Sequence, residues 1–392
     1  MLTHLFKLIW NKKKHNFLLI IEMLASFLVM FAVFTLLVNY YQHYKAPMNF
    51  EYKNVWAVTY EKPQGVNNKD SLVMIYETLR NTLTAMPEVE AVSIMSSNSP
   101  FSMSNSSANI RYGKINLLIN QYFTDDDFDK VMGVTMQAGR WFSKADAGSK
   151  IMPVIINTTM NERYFGQENA IGKIIGNEQE QLRVIGVVKT LKEKGDYAAP
   201  EMGIYRRPDS TSYNWLHRMM VKVRPDANNA TFESRFAKVF AGSLKDSNVE
   251  IEHLTDKRIA RNNLTLVPLL VMLIIACFLL INVALGLFGV LWYNISKRKS
   301  EIGLRRALGA TGPAISLQMV SEALVLSTLA VLVGVFFAIQ FPLLNVFDLP
   351  ANVYFKGIAL SVIFIYLLVI ICAFYPGRQA ANIYPAVALH EE

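Results

Sequence analysis

Residues 17–40 read FLLIIEMLASFLVMFAVFTLLVNY, an apolar run whose one charged side chain is Glu22. At 1.5 Å per residue, a helix of that length reaches about 36 Å, more than the roughly 30 Å hydrocarbon core of a bilayer. Lys12, Lys13 and Lys14 precede it, as they would in a secretory leader. The run is too long for a leader's apolar core, and no small-residue cleavage site follows. It is expected to be an uncleaved membrane anchor. Blocks at 264–293, 315–341 and 357–375 have the same character. Pro342 is expected to close the third span, and Pro376 with Gly377 the fourth, because proline cannot continue a helical ladder.

These blocks explain the composition. Hydrophobic residues make up 52% and charged residues 18%, against about 45–50% and about 25% in ordinary soluble domains. Residues 41–263 have an ordinary mixture. The expected fold is an α-helical integral membrane protein of four transmembrane helices, with a large α+β extracytoplasmic domain inserted between helices 1 and 2. Segments 1–16, 294–314 and 376–392 then lie on one side of the membrane, and the short loop 342–356 lies on the other. Cys277 and Cys372 both fall inside apolar blocks, so no disulfide framework is expected.

The net charge of +8 takes its meaning from where it sits. The segments flanking the spans on the side of the termini hold Lys7, Lys12, Lys13, Lys14, Lys297, Arg298, Lys299, Arg305, Arg306 and Arg378, against Glu301, Glu391 and Glu392. The loop 342–356 holds only Asp348 and Lys356. By the positive-inside rule both termini are expected in the cytoplasm and the large domain outside, in a multi-pass membrane protein. That domain carries 28 basic and 25 acidic residues, a near balance that argues against nucleic acid as a partner.

Within 41–263, residues 54–60 (NVWAVTY) alternate as a strand, 71–86 carry apolar residues at helical spacing, and 89–95 return as a strand. Residues 219–223 and 230–243 repeat a strand and a helix around Pro225. This pattern predicts one α+β layer whose halves are separated by an insertion at about 100–212. The insertion is preceded and opened by a Ser/Asn-rich stretch, 96–110, and contains strands at 153–156 and 182–188. Asp125, Asp126, Asp127 and Asp129 form its densest acidic run. An EF-hand would need a glycine at its sixth position and a closing glutamate, and both are missing, so a capped turn on a solvated surface is the expectation.

Motifs for chemistry are lacking. There is no G-x-x-x-x-G-K-[ST], G-x-S-x-G or H-E-x-x-H, and the six histidines are scattered. No catalytic residue, cofactor site or metal site is expected in this chain.

The informative stretch is 296–312, SKRKSEIGLRRALGATG. Glu301 and Arg305 are spaced to pair on one helix face, while Ile302, Leu304, Ala307 and Leu308 offer apolar contact. Gly309, Gly312 and Pro313 supply a stop and a restart. Simple charge anchoring would need none of this. The stretch closely resembles the loop of FtsX/MacB-type ABC transporter permeases, R-x-x-E-I-G-x-x-R-A-L-G-A, through Arg298, Glu301, Ile302, Gly303, Arg306, Ala307, Leu308, Gly309 and Ala310. Gln318 and Glu322 resemble the family's Q-x-x-x-E. Tyr375, Pro376, Arg378, Gln379 and Ala380, continued by Pro385, Ala388 and Leu389, resemble its C-terminal motif, with Gly377 in place of the usual alanine. In the outer domain, 136–142 (MQAGRWF), 154–157, 164–166, 171–173 and 184–188 (VIGVV) follow the order of the family's periplasmic core domain.

This resemblance implies that 294–314 forms a coupling helix on an ABC ATPase dimer, through Arg298, Glu301, Ile302, Gly303, Arg305, Arg306, Ala307, Leu308 and Gly309. ATP and magnesium belong to that partner, and since no ATPase is fused here a separate subunit is implied. The amphipathic residues 2–14 are expected against the inner membrane lipid. A second permease, identical or paralogous, would pair through the first two spans. The implied function is mechanotransmission for export or extraction of a periplasmic or membrane substrate such as an antibiotic, peptide or lipid. A MacB-like efflux role would add a periplasmic adaptor and an outer-membrane factor. Lipoprotein release, or FtsX-like control of a cell-wall hydrolase without transport, are the alternatives. Glu22 and Glu322 sit at membrane depth, where a lone charge costs on the order of 3 kcal/mol. Both are expected to hold the loop helix in register, with Arg305, Arg306 and the helix-start backbone as partners. Gly286 and Gly289 are expected to allow close packing of the second span.

Overall fold

The alternating stretch VWAVTY becomes β1, Val55–Tyr60, a central strand buried on both faces. The computed structural model describes residues 13–62, 66, 68–244 and 248–383, so most of the N-terminal segment 1–16 and the tail motif from Pro385 onward lie outside it. The chain divides into two compact units, His43–Thr265 and the pair Met1–Gln42 with Leu266–Glu392.

In the first unit β1 is followed by the helix Lys69–Thr84 and by β2, Val89–Met95. The insertion then runs through β3 Ser107–Tyr112, β4 Ile115–Phe123, β5 Met136–Gly139, β6 Met152–Asn157, β7 Ile174–Gly176, β8 Gln181–Val188 and β9 Gly203–Arg206. The chain returns through β10 Arg218–Val223, the helix Ala230–Ser243 and β11 Val249–His253. The outer strands form an antiparallel sheet in the order β11-β1-β10-β2. The inserted strands form their own mixed sheet, β3-β4-β9-β6-β8-β5 with β7 on β8. The strands β3 to β9 of the second sheet thus fall in sequence between β2 and β10, which are neighbours in the first.

Period two explains why β1 can serve two cores. Trp56, Val58 and Tyr60 face the helices, meeting Leu72, Tyr76, Leu79 and Leu83 from one and Phe232, Phe236 and Phe240 from the other. Val55 and Ala57 face the opposite way, toward Phe128, Trp141 and Tyr205 of the insertion. Each helix begins on an asparagine cap: Asn68 Oδ1 accepts from Asp70 N, and Asn229 Oδ1 from Phe232 N.

In the Ser/Asn-rich stretch, Ser96, Asn98, Ser99 and Ser102 are buried and bonded into the fold, while Ser104, Asn105 and Ser107 are exposed. One expectation about the insertion needs correction: the acidic run is not uniformly solvated. Asp125 is buried, accepting from Ser93 Oγ at 2.6 Å and Ile94 N at 2.9 Å. Asp126 pairs with Arg207, and Asp127 with Arg80 and Lys130. The run is consumed by neighbouring strands and cations. Among the described residues no group of three His, Cys, Asp or Glu side chains could hold a metal.

Among the described residues the four apolar helices are Lys13–Lys45, Leu254–Lys297, Gly312–Ala338 and Ala351–Ala381; three are longer than their sequence blocks, and the third has its block's length but lies three residues earlier. The third does end before Pro342, which lies in the short helix Gln340–Leu343. The fourth does not end at Pro376 but continues to Ala381. Proline is tolerated within spans where neighbouring packing holds the break, and a Cβ on Gly377 would sit 2.8 Å from Ser316 Oγ.

Small residues decide how closely the first span approaches the others. A Cβ on Gly334 would meet Phe27 Cδ1 at 2.3 Å, and one on Gly357 would meet Thr35 Oγ1 at 2.3 Å and Thr35 N at 3.1 Å. A Cβ on Gly286 would lie 2.8 Å from Glu22 Oε2, whereas one on Gly289 would meet nothing within 4 Å. Close packing is thus built on Gly286 and not on Gly289. Gly357→Leu is expected to destabilise the bundle by about 2–3 kcal/mol through overpacking. Gly289→Leu should stay within about 0.5 kcal/mol of the parent. Thermal unfolding of both variants in detergent checks the pair, and equal losses would contradict the packing account.

Candidate functional site

The second span ends at Lys297, and after one non-helical residue, Arg298, the chain starts a nine-residue helix, Lys299–Ala307. Its end is set by Gly309, at φ +95°, a left-handed position that side chains resist. Gly309 N donates to Arg306 O at 3.1 Å and Ala310 N to Arg305 O at 2.9 Å, the paired bonds of a Schellman stop. The third span then begins at Gly312, with Pro313 in its first turn where the missing N–H costs nothing.

The helix is tied to the third span by a row of charges. Arg298 Nη1 donates to both oxygens of Glu322, each at 3.1 Å, and Arg298 Nε lies 3.6 Å from Glu301 Oε2. Arg305 Nη2 donates to Glu301 Oε1 at 2.5 Å, and its Nη1 to Gln318 Oε1 at 2.8 Å. Gln318 Nε2 closes the row on Glu322 Oε1 at 3.3 Å. Arg298 and Glu322 are well shielded, with 12% and 17% of their side chains exposed. In such a setting a charge-assisted pair holds geometry better than it would on a surface.

Below the charges lies a small apolar plug of Ile295, Ile302, Ile315, Met319 and Ala380. Gly303 is buried beside it. The expected apolar face therefore divides. Ile302 faces inward at 4% exposure, while Leu304 and Leu308 are 52% and 79% exposed and Ala307 is exposed beside them. Residues three and four apart share a helix face, so these three make one uncovered apolar strip.

The expected partners of the intramembrane carboxylates need revision. Glu322 binds Arg298 and Gln318, not Arg305 or Arg306. Arg306 instead donates from Nη1 to Ala310 O at 3.3 Å, and its Nε is buried without a bond. Glu22 reaches none of the loop residues and lies against Gly286 of the second span. Residue spacing reveals a pair such as Glu301–Arg305 at i, i+4, but it cannot reveal one such as Arg298–Glu322, which closes only when two helices fold back on each other. The Gln318 bridge was missed for the same reason, although Gln318 and Glu322 stand at i, i+4.

Comparison with known proteins fits this arrangement. The MacB-like periplasmic core domain family matches residues 22–239, and the FtsX-like permease C-terminal family matches residues 273–385. The macrolide export ATP-binding/permease protein MacB of Bdellovibrio bacteriovorus is 26% identical over 285 residues, covering 68% of this chain and 43% of that protein. The uncharacterized ABC transporter permease YvrN of Bacillus subtilis is 25% identical over 288 residues, covering 69% and 70%. This chain thus spans less than half the length of that MacB relative. Among solved structures, the periplasmic region of MacB from Actinobacillus actinomycetemcomitans aligns at a TM-score of 0.39 and 19% identity, over 54% of this chain and 94% of that one. With more than half its residues matched by the periplasmic core domain and its last spans by the permease domain, the chain belongs to the FtsX/MacB-like family of ABC transporter permeases.

Proposed function

We propose that this permease receives work from an ABC ATPase dimer at the helix Lys299–Ala307 and delivers it to the domain between the first two spans, for export or extraction of a periplasmic or membrane substrate. The observation that carries this reading is the division of the loop helix. Its charged side is fastened to the third span by Arg298, Arg305, Gln318 and Glu322, while Leu304, Ala307 and Leu308 are left uncovered. A helix fastened on one side and apolar on the other can transmit a push from a protein docked on it. ATP and magnesium would belong to that partner. This reading puts the helix and both termini in the cytoplasm of a bacterial inner-membrane protein and the core domain in the periplasm, and the basic flanks support it. A second permease, identical or paralogous, would complete the assembly.

The test is affinity purification of the tagged full-length chain from native membranes in mild detergent. An ATPase is expected in equal copy number. Leu304→Asp with Leu308→Asp should reduce its recovery by about tenfold or more, as expected when apolar anchors at an interface centre are lost. The permease itself should accumulate normally, since neither side chain is in its core. Absence of any ATPase, or its full retention by the double variant, would refute the proposed docking. Co-purifying periplasmic proteins then separate the routes: an adaptor with an outer-membrane factor for efflux, a lipoprotein carrier for lipoprotein release, or a hydrolase for regulation without transport.

A further inference from the structure

We infer that the loop joining β8 to β9, residues 189–202, is a mechanical clasp that makes the inserted sheet move with the outer ends of the first two spans. Its positioning residues are Lys192, Glu193 and Asp196. This inference rests on the function proposed above for what drives the motion, but the clasp itself is defined by contacts within the unit His43–Thr265.

Three side chains in five residues grip three different elements. Lys192 is 7% exposed, and its Nζ donates to the carbonyls of His43 at 2.6 Å and Ala46 at 3.1 Å. These lie at the C-terminal end of the first-span helix, where the helix dipole favours a cation. Asp196, 4% exposed, takes both arms of Arg258, from Nε at 2.9 Å and Nη2 at 2.7 Å. Asn262, one turn further along the second-span helix, donates to Asp196 Oδ2 at 2.8 Å and accepts from Asp196 N at 2.9 Å. Glu193 turns the other way, into the insertion, where Tyr205 Oη donates to it at 3.1 Å and Phe101 N donates to its carbonyl at 2.7 Å.

The contacts around this grip are equally specific. Tyr44 of the first span stacks on Tyr197 at 5.8 Å. Arg258 lies over the Tyr52 ring at 4.5 Å and donates to its hydroxyl at 2.5 Å, while Arg261 Nε donates to Lys194 O. Gly195 makes the turn possible: its φ is +101°, and a Cβ there would sit 2.8 Å from Asn262 Oδ1. A loop needed only to join two strands would require neither a turn that only glycine fits nor a buried bidentate ion pair to a helix outside its own sheet. Because one short segment holds both helix ends and the inserted core, a shift of either helix is passed to the sheet instead of being absorbed by loop flexing.

The experiment uses the full-length chain with its co-purified ATPase in nanodiscs, with Cys277 and Cys372 replaced by serine. Spin labels at the exposed positions Lys114 and Ala260 report the distance between the inserted sheet and the second-span helix, with ADP or with ATP. The parent should keep one narrow distance in both nucleotide states. Asp196→Asn and Arg258→Lys, which keep side-chain size or charge but lose the bidentate pair, should broaden that distance and make it depend on nucleotide. Amide exchange at Lys192, Gly195 and Asp196 should rise by about tenfold in both variants, with ATP hydrolysis within about twofold of the parent. A narrow, nucleotide-independent distance with unchanged exchange in both variants would overturn the clasp. If no ATPase co-purifies, the proposed function fails, and the exchange arm on the permease alone still decides the clasp: tenfold faster exchange supports it and unchanged exchange overturns it.

Discussion

Arg298→Leu is expected to destabilise the membrane unit by about 3 kcal/mol, because it leaves Glu322 shielded and without its cation. The cost is asymmetric. Removing one member of a shielded pair strands the other charge, whereas removing both members leaves an apolar contact of similar volume. The double variant Arg298→Leu with Glu322→Met should therefore recover most of the loss in thermal unfolding, measured in detergent on the full chain. Gln318→Leu should cost less, since Glu322 keeps both bonds to Arg298. Function should separate from stability in this series. The double variant has a sound bundle but a helix no longer fastened at its first turn, so under the function proposed above an ATPase should still co-purify while ATP-driven work on the domain between the first two spans falls. A double variant as unstable as Arg298→Leu alone would show that the pair is not the source of the loss.

The sequence made the gross plan legible because the plan is written in short-range patterns. Apolar length gives the four spans, period two gives β1, and helical spacing gives Lys69–Thr84 and Ala230–Ser243. The loop helix was legible through its stop at Gly309 and its Glu301–Arg305 spacing. What was not legible depends on where distant segments meet. Arg298 among basic neighbours reads as an anchor, and only the fold brings Glu322 to it. Asp125 begins an acidic run that reads as surface, yet β2 closes over it and leaves its neighbours to bind Arg207, Arg80 and Lys130. Pro376 looks like a terminator, but Gly377 packs so closely on Ser316 that the helix is carried past it. Gly286 and Gly289 look equivalent three residues apart, and only one faces another span. The clasp was hidden for the same reason, since Lys192 and Asp196 are ordinary loop charges until two distant helices arrive beside them.

Two buried carboxylates should make the domain between the first and second spans more stable as pH falls from about 8 to about 5. Burial pushes Asp125 up to about 6, against the hydrogen bonds from Ser93 and Ile94 and the nearby Arg80, which favour its charged form. Burial likewise pushes Glu193 up to about 7, opposed by the hydroxyls of Tyr122 and Tyr205. A carboxyl with a raised value holds its proton more tightly folded than unfolded. Its contribution is therefore complete below the ordinary carboxylate range and is lost as pH rises through about 6 for Asp125 and about 7 for Glu193. Each shift corresponds to at most about 3 kcal/mol between those limits. Asp146 acts in the opposite sense. The bond from Arg140 holds it low, so its contribution is lost only as pH falls below the usual carboxylate range, outside the window considered. Asp125→Asn and Glu193→Gln keep the shape and remove the titration. At pH 8 each should match or exceed the parent in unfolding midpoint, and at pH 5 the advantage should vanish. In the double variant the slope of stability with pH between 5 and 8 should flatten. A double variant with the parent's slope would show that other groups control it. The same measurement bears on the clasp, because Glu193 is the residue that fixes the loop in the inserted sheet. If Glu193→Gln flattens the slope while leaving Lys192 and Asp196 amides protected, the anchor works through its hydrogen bonds to Tyr122 and Tyr205 and not through its charge.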